Sequence, residues 1–175
     1  SENLAHTHVL PFNHDAAFDK IERDASKLAL VMVEGVQGFG GGIVADRSWL
    51  RELSRVCRAN DVLLMLDEVI TGFRLGYGGA QEHFDVEVDL ATYGKAPGAG
   101  LPLGVVAGTD DAMEMLGTTG DFARDLKERA YFGGTYNAGV LVTAVGIAVL
   151  EYLKSNQHLY EQIDQLGEMV RTGIG

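Results

Sequence analysis

A chain of 175 residues with 46% hydrophobic and 22% charged residues has the balance of one ordered globular domain, which argues against disorder. A formal charge of -11, with no basic run interleaved with aromatics, argues against a nucleic-acid partner. A single cysteine, Cys57, leaves no internal disulfide and fits a reducing cytoplasm, and the longest nearly uncharged apolar stretch, 138–150, falls short of the roughly 20 residues a bilayer-crossing helix needs, so no membrane contact is expected.

The first eleven residues contain no methionine and no clear element, as in a piece of a longer chain, and lead into a helix-like segment. His6, His8 and His14 lack a Cys or paired carboxylate to complete a metal-ligand set, so no metal is assigned. Leu28 to Val33, LALVMV, and Val62 to Leu66, VLLML, are short apolar runs without alternation, the pattern of central parallel strands buried on both faces. Between them, Asp46 to Asn60 sets Trp49, Leu53, Val56 and Cys57 at helical spacing, completing a strand, helix, strand unit. A third strand, Asp89 to Thr92, enters the loop TYGKAPGAGLPLG, and a fourth, Gly104 to Gly108, leaves it ahead of a short helix from Asp110 to Leu116. Residues 120–130 read as a solvated charged segment. A long helix follows from Asn137 to Ser155, where Gly139, Ala144, Gly146 and Ala148 permit close approach to another element. The alternation predicts an α/β fold with a mostly parallel sheet.

Ligands in such sheets gather beyond the carboxyl ends of the strands. Polar groups mark three of these ends: Glu34 after the first, Asp67 and Glu68 after the second, and Lys95 after the third. Lys95 stands in a stiff loop of glycines and prolines, where the plain alternative is a soluble turn. An aspartate at a buried strand tip needs a cation, a metal or several donors. Three readings follow. Asp67-Glu68 could be a Walker B pair of a nucleotide hydrolase, but no GxxxxGK[ST] loop is present, since Ala96 follows Gly94-Lys95. Asp67 could face a protonated pyridine nitrogen while Lys95 holds an aldehyde as a Schiff base, so that pyridoxal 5'-phosphate accounts for both residues. Or Asp67 caps a turn and Glu68 pairs with Arg74, which leaves the lysine unexplained.

Four motifs in order, Glu34-Gly-Val-Gln-Gly, Leu66-Asp-Glu-Val-Ile-Thr-Gly-Phe-Arg74, Gly94-Lys95 and Gly133-Gly-Thr-Tyr136, resemble the class III aminotransferases. The stretch 79–108 is most similar to the glutamate-1-semialdehyde aminomutase branch. Similar sequences also occur as aminotransferase domains of polyketide and peptide assembly lines. The resemblance covers roughly residues 25–155. It implies the three-layer α/β/α large domain of fold type I and a pyridoxal-phosphate-dependent transfer of an amino group between a small-molecule donor and a carbonyl acceptor.

By the same resemblance Lys95 forms the Schiff base, Asp67 binds the pyridine nitrogen, Val69 packs on the ring, and Thr135 reaches the cofactor phosphate of the neighbouring subunit. A homodimer with a shared active site follows, as does suppression of the Lys95 charge by burial and by the cofactor. Gly133-Gly-Thr lies ahead of the long helix, whose N-terminus favours an anion. Two positions depart from the family pattern. Gly35 stands in place of the usual proline and is expected to loosen a turn, and Phe39 stands where the aminomutases carry a polar residue near the cofactor's phenolic oxygen. The resemblance also makes residues 1–175 the central part of the large domain, with the other phosphate-binding loop upstream and the small domain downstream; a non-catalytic fragment is the alternative from another class.

Overall fold

The computed structural model describes residues 6–130 and 133–174. Val31, Leu64 and Leu66 share one face of the sheet and are buried, and their apolar area selects which helices must cover it. Helix α1 (Ala16–Asp24) contributes Ala17 and Ile21 to that core. Strand β1 (Leu30–Glu34) follows, and then a small antiparallel pair, β2 (Val36–Gln37) with β3 (Ile43–Val44). Helix α2 (Arg47–Ala59) returns the chain to the sheet.

Asp46 starts α2 by accepting hydrogen bonds from the amides of Ser48 at 2.8 Å and Trp49 at 3.0 Å, a cap worth about 1 kcal/mol. Trp49, Leu50, Leu53, Val56 and Cys57 turn inward, while Arg47, Arg51, Arg55 and Arg58 stay exposed. The arginines meet acceptors on neighbouring segments: Arg51 pairs with Asp85, and Arg58 with Glu87 at 2.9 Å.

Strand β4 (Leu63–Asp67) then lies parallel to β1, completing the anticipated strand, helix, strand unit. Helix α3 (Gly79–Phe84) adds Ala80 and Phe84 to the core. Strand β5 (Leu90–Gly94) pairs parallel with β4, and β6 (Gly104–Gly108) pairs antiparallel with β5, giving the order β1-β4-β5-β6. The connection 95–103 is shorter than the dozen or so residues a parallel crossover requires, so β6 must run back.

Burial on both faces of β1 and β4 was expected, but Leu30, Met32 and Leu63 are 37%, 63% and 38% exposed. Among the described residues, their side of the sheet lacks the close cover that α1, α2 and α3 give the other. Beyond β6, α4 (Asp110–Met113) continues as a single 3-10 turn to Leu116. The charged segment contains the exposed helix α5 (Phe122–Glu128), capped by Asp121. The long helix α6 (Val140–Ser155) starts three residues later than expected, because Ala138 takes φ +50° and cannot continue a right-handed helix. A further helix, α7 (His158–Ile174), lies beyond the elements read from the sequence. Among the described residues no helix is long and apolar enough to cross a membrane.

Of the small residues on α6, Gly146 performs the close approach: a Cβ there would meet Leu103 Cδ2 at 3.2 Å and the Pro97 carbonyl at 3.8 Å. Ala144 and Ala148 are exposed. The helix thus lies against the turn that follows Lys95.

Burial, with the Asp89 charge adding to it, pushes the Cys57 thiol up to about 12. The folded protein holds this proton more tightly than the unfolded chain, so its contribution to stability is intact below pH 9.0 and is lost as the pH rises towards about 12. Urea unfolding across that range should show the loss, and Cys57→Ala should remove that part of it. In native protein a thiol reagent should modify Cys57 only at the rate at which α2 opens.

Candidate active site

Residues paired across parallel strands project from the same face. Register places Glu34 beside Asp67 and Asp67 beside Thr92, so the ends of β1, β4 and β5 form one row. Thr92 Oγ1 donates to Asp67 Oδ1 at 3.2 Å, and the Val69 amide donates to the same oxygen at 3.0 Å. These two donors fix the half-buried carboxylate, whose Oδ2 accepts from no described residue. Asp67 lines a trough of 670 Å³ beside β1, together with Glu34, Gln37, Val33 and Met32. Glu34 also accepts from the Gly38 amide at 3.2 Å, which draws the β2–β3 hairpin towards the row.

Val69 begins the turn after Asp67 and is half-buried. A Cβ on Gly94 would lie 3.5 Å from Val69 Cγ1, so glycine leaves the space between them open. Lys95 follows β5 directly and caps a 3-10 turn, Ala96–Gly98, with φ +56° and ψ -91°, a conformation costly for any residue with a Cβ. The turn closes through the Gly98 amide to the Lys95 carbonyl at 3.1 Å. The Lys95 side chain is exposed, contrary to its expected burial, because no described element covers that side of the turn.

Thr135 lies in the exposed turn 135–138, ahead of α6 by more than one helical turn, and its hydroxyl bonds to no described residue. The structure therefore brings Asp67, Val69 and Lys95 to one end of the sheet, while Thr135 joins none of the hydrogen bonds described there. Tyr131 and Phe132, just before the Gly133-Gly-Thr motif, lie outside the described residues.

Two local expectations are corrected. Glu68 does not pair with Arg74: its carboxylate is fully buried and accepts from Thr71 Oγ1, the Ala80 amide and the Gln81 amide, while Arg74 is exposed. A carboxylate so enclosed also has no route to a nucleotide-bound metal or its water, so Glu68 gives no support to the Walker B reading of Asp67-Glu68. Gly35, expected to loosen a turn, is buried where a Cβ would meet Phe84 Cε2 at 2.9 Å and Ala80 Cβ at 3.1 Å. It is a point of close packing between β1 and α3. Phe39 sits at the hairpin tip, 102% exposed, and Gln37 rather than Phe39 faces the trough.

Thr92 was missed as a site residue, because its pairing with Asp67 follows from the register of β4 and β5, which the two apolar runs do not carry by themselves. Among the described residues no group of three or more His, Cys, Asp and Glu is arranged to hold a metal ion.

A mostly parallel sheet whose strand ends gather an oriented carboxylate and a strained lysine turn has the layout in which α/β proteins bind ligands, at the carboxyl edge. Residues 7–174 match the family model for aminotransferase class III. The glutamate-1-semialdehyde 2,1-aminomutase of Methanocorpusculum labreanum is 37% identical over 170 residues, 97% of this chain and 39% of that protein. That of Methanosarcina acetivorans is 41% identical over 154 residues, 88% of this chain and 34% of that protein. A solved transaminase with PLP bound superimposes with a TM-score of 0.85 at 33% identity, over 96% of this chain and 38% of that one. An omega-transaminase from Sphaerobacter thermophilus gives 0.84 at 32% identity, over 94% and 36%.

The chain belongs to the class III aminotransferases, and its architecture is that of fold type I. It spans 39% or less of the length of these relatives.

The packing at Gly35 gives a direct test. Gly35→Ala should destabilise the protein by about 1–3 kcal/mol through overpacking against Phe84, measured by urea unfolding; an unchanged midpoint would show that the turn is as loose as first expected.

Proposed function

We propose that this chain is the central part of the large domain of a pyridoxal-phosphate-dependent enzyme that transfers an amino group between a small-molecule amine and a carbonyl acceptor. The observation that carries the reading is the row Asp67–Thr92 with Lys95 one residue beyond β5. The residues fit the cofactor. Asp67 presents an oriented carboxylate with one oxygen open, the chemistry a protonated ring nitrogen requires, and Val69 offers an apolar surface beside the space left by Gly94. Lys95 supplies the amine for covalent attachment, and Thr135 a hydroxyl for the phosphate bound in a partner subunit.

When bound, pyridoxal 5'-phosphate provides an electron sink for the carbon that bears the amino group. The chain's own residues then have separate tasks. Asp67 would hold the proton at the ring nitrogen, while Thr92 and the Val69 amide keep that carboxylate in place. Lys95 Nζ would hold the cofactor and, as a free amine, would serve as the base and acid that moves the proton at the amine-bearing carbon. The strained, packed turn restricts where Nζ can reach.

The protein is a cytoplasmic homodimer in this reading. Apolar side chains left open on α6 and α7, among them Leu141 at 70%, Ile163 at 57% and Val170 at 59% exposed, support an extensive contact with further protein.

In the full-length protein, incubation with pyridoxal 5'-phosphate should produce a visible absorbance band, and borohydride should fix the label on Lys95 in mass mapping. Lys95→Ala should abolish both signals. Asp67→Ala should keep the label but lower turnover roughly a hundredfold or more. A band that persists in Lys95→Ala, or label on another lysine, would overturn the assignment.

A further inference from the structure

Glu68 is a fully buried carboxylate that the proposed chemistry does not use. An ionisable group so placed is tolerated only where donors meet its oxygens. Oε2 accepts from Thr71 Oγ1 at 3.0 Å and the Ala80 amide at 2.7 Å; Oε1 accepts from the Gln81 amide at 3.2 Å and Gln81 Nε2 at 3.4 Å. The same Nε2 donates its second hydrogen to Tyr93 Oη at 2.9 Å. A chain of hydrogen bonds therefore runs from the residue after Asp67 to the residue two before Lys95.

The packing is built around this chain. Gly79, at φ +64°, admits the start of α3, since a Cβ there would stand 2.4 Å from Glu68 Oε2. Gly72 admits the Tyr93 ring, which a Cβ would meet at 2.6 Å. Phe73 lies against the same ring with centroids 5.4 Å apart. The main chain is fastened as well: the Glu68 amide donates to the Thr92 carbonyl at 2.9 Å, and the Gly72 amide donates to the Glu68 carbonyl at 2.8 Å. Burial, followed by the nearby Glu68 charge, raises the Tyr93 phenol, so its oxygen stays neutral and accepts from Gln81.

Resting on the amino-transfer reading above, we propose that Glu68 is a positioning residue: through Gln81 and Tyr93 it sets the separation and angle between Asp67 and Lys95. Asp67 adjoins Glu68 directly. Lys95 stands two residues past Tyr93 in a backbone conformation that does not persist unless its neighbours impose it. Glu68 touches neither substrate nor cofactor; it acts through the two strand ends it joins.

Glu68→Gln puts a donor against two amide donors and risks the fold. Tyr93→Phe and Gln81→Met break the link while keeping most of the buried volume. The test uses full-length protein loaded with pyridoxal 5'-phosphate, reading the pH midpoint of its visible band, the rate at which hydroxylamine releases the cofactor, and the melting temperature. Both variants should shift the band's pH midpoint and change the release rate about tenfold or more, and the double variant should add nothing further. Val56→Ala, a core change outside the network, should lower the melting temperature without moving either cofactor readout. Wild-type midpoints and rates in both network variants would overturn the positioning role, as would an equal shift in Val56→Ala. Absence of the band in wild-type protein would instead defeat the amino-transfer reading, and this proposal with it.

Discussion

The site depends on β4 being paired on both sides. A strand end held only on one edge frays, but Asp67 closes a ladder that runs to Glu34 on β1 and to Thr92 on β5. A slip of one residue would turn every β4 side chain to the opposite face and take Asp67 out of the row. Two features forbid the slip. Leu64 and Leu66 must face the core, and Asp89 clamps Leu64 twice, its carboxylate accepting from the Leu64 amide at 2.8 Å and its amide donating to the Leu64 carbonyl at 3.0 Å.

Once the row is fixed, the turns beyond it must be held in conformations they would not choose. Phe73 at φ +59° and Lys95 at φ +56° both lie in the left-handed half of backbone space. The Glu68–Gln81–Tyr93 bonds hold one side, and α6 holds the other, with Gly146 against the Pro97 carbonyl. From α7, Tyr160 donates its hydroxyl to the Phe73 carbonyl at 3.3 Å, joining the last helix to the turn after β4. Strain at a functional turn persists where the surrounding contacts over-determine it.

The glycines of this chain act in different ways. Gly35, Gly72 and Gly146 are sites of close approach, where a side chain would collide with Phe84, with Tyr93 or with Leu103. Gly79 combines a tight contact with a positive φ, since it must bring the first turn of α3 onto a buried carboxylate. In sequence all four look alike, as interruptions in otherwise ordered segments.

The sequence by itself determined the four strands of the main sheet, the crossover helix α2 and the ordered motifs that mark the family, because apolar runs, helical spacing and motif order are local properties; the short β2–β3 pair was not legible in it. It also placed Asp67 and Lys95 at strand ends. The tertiary structure alone decided what each polar group meets. Glu68 and Arg74 are close along the chain, yet Glu68 turns inward because the amides of α3 need acceptors and the core excludes water. The exposure of Lys95, the pairing of Thr92 with Asp67 and the packing at Gly35 likewise depend on which elements lie across from them. Contacts between residues distant in sequence are fixed by sheet register and helix packing, and no local pattern of residues encodes either one.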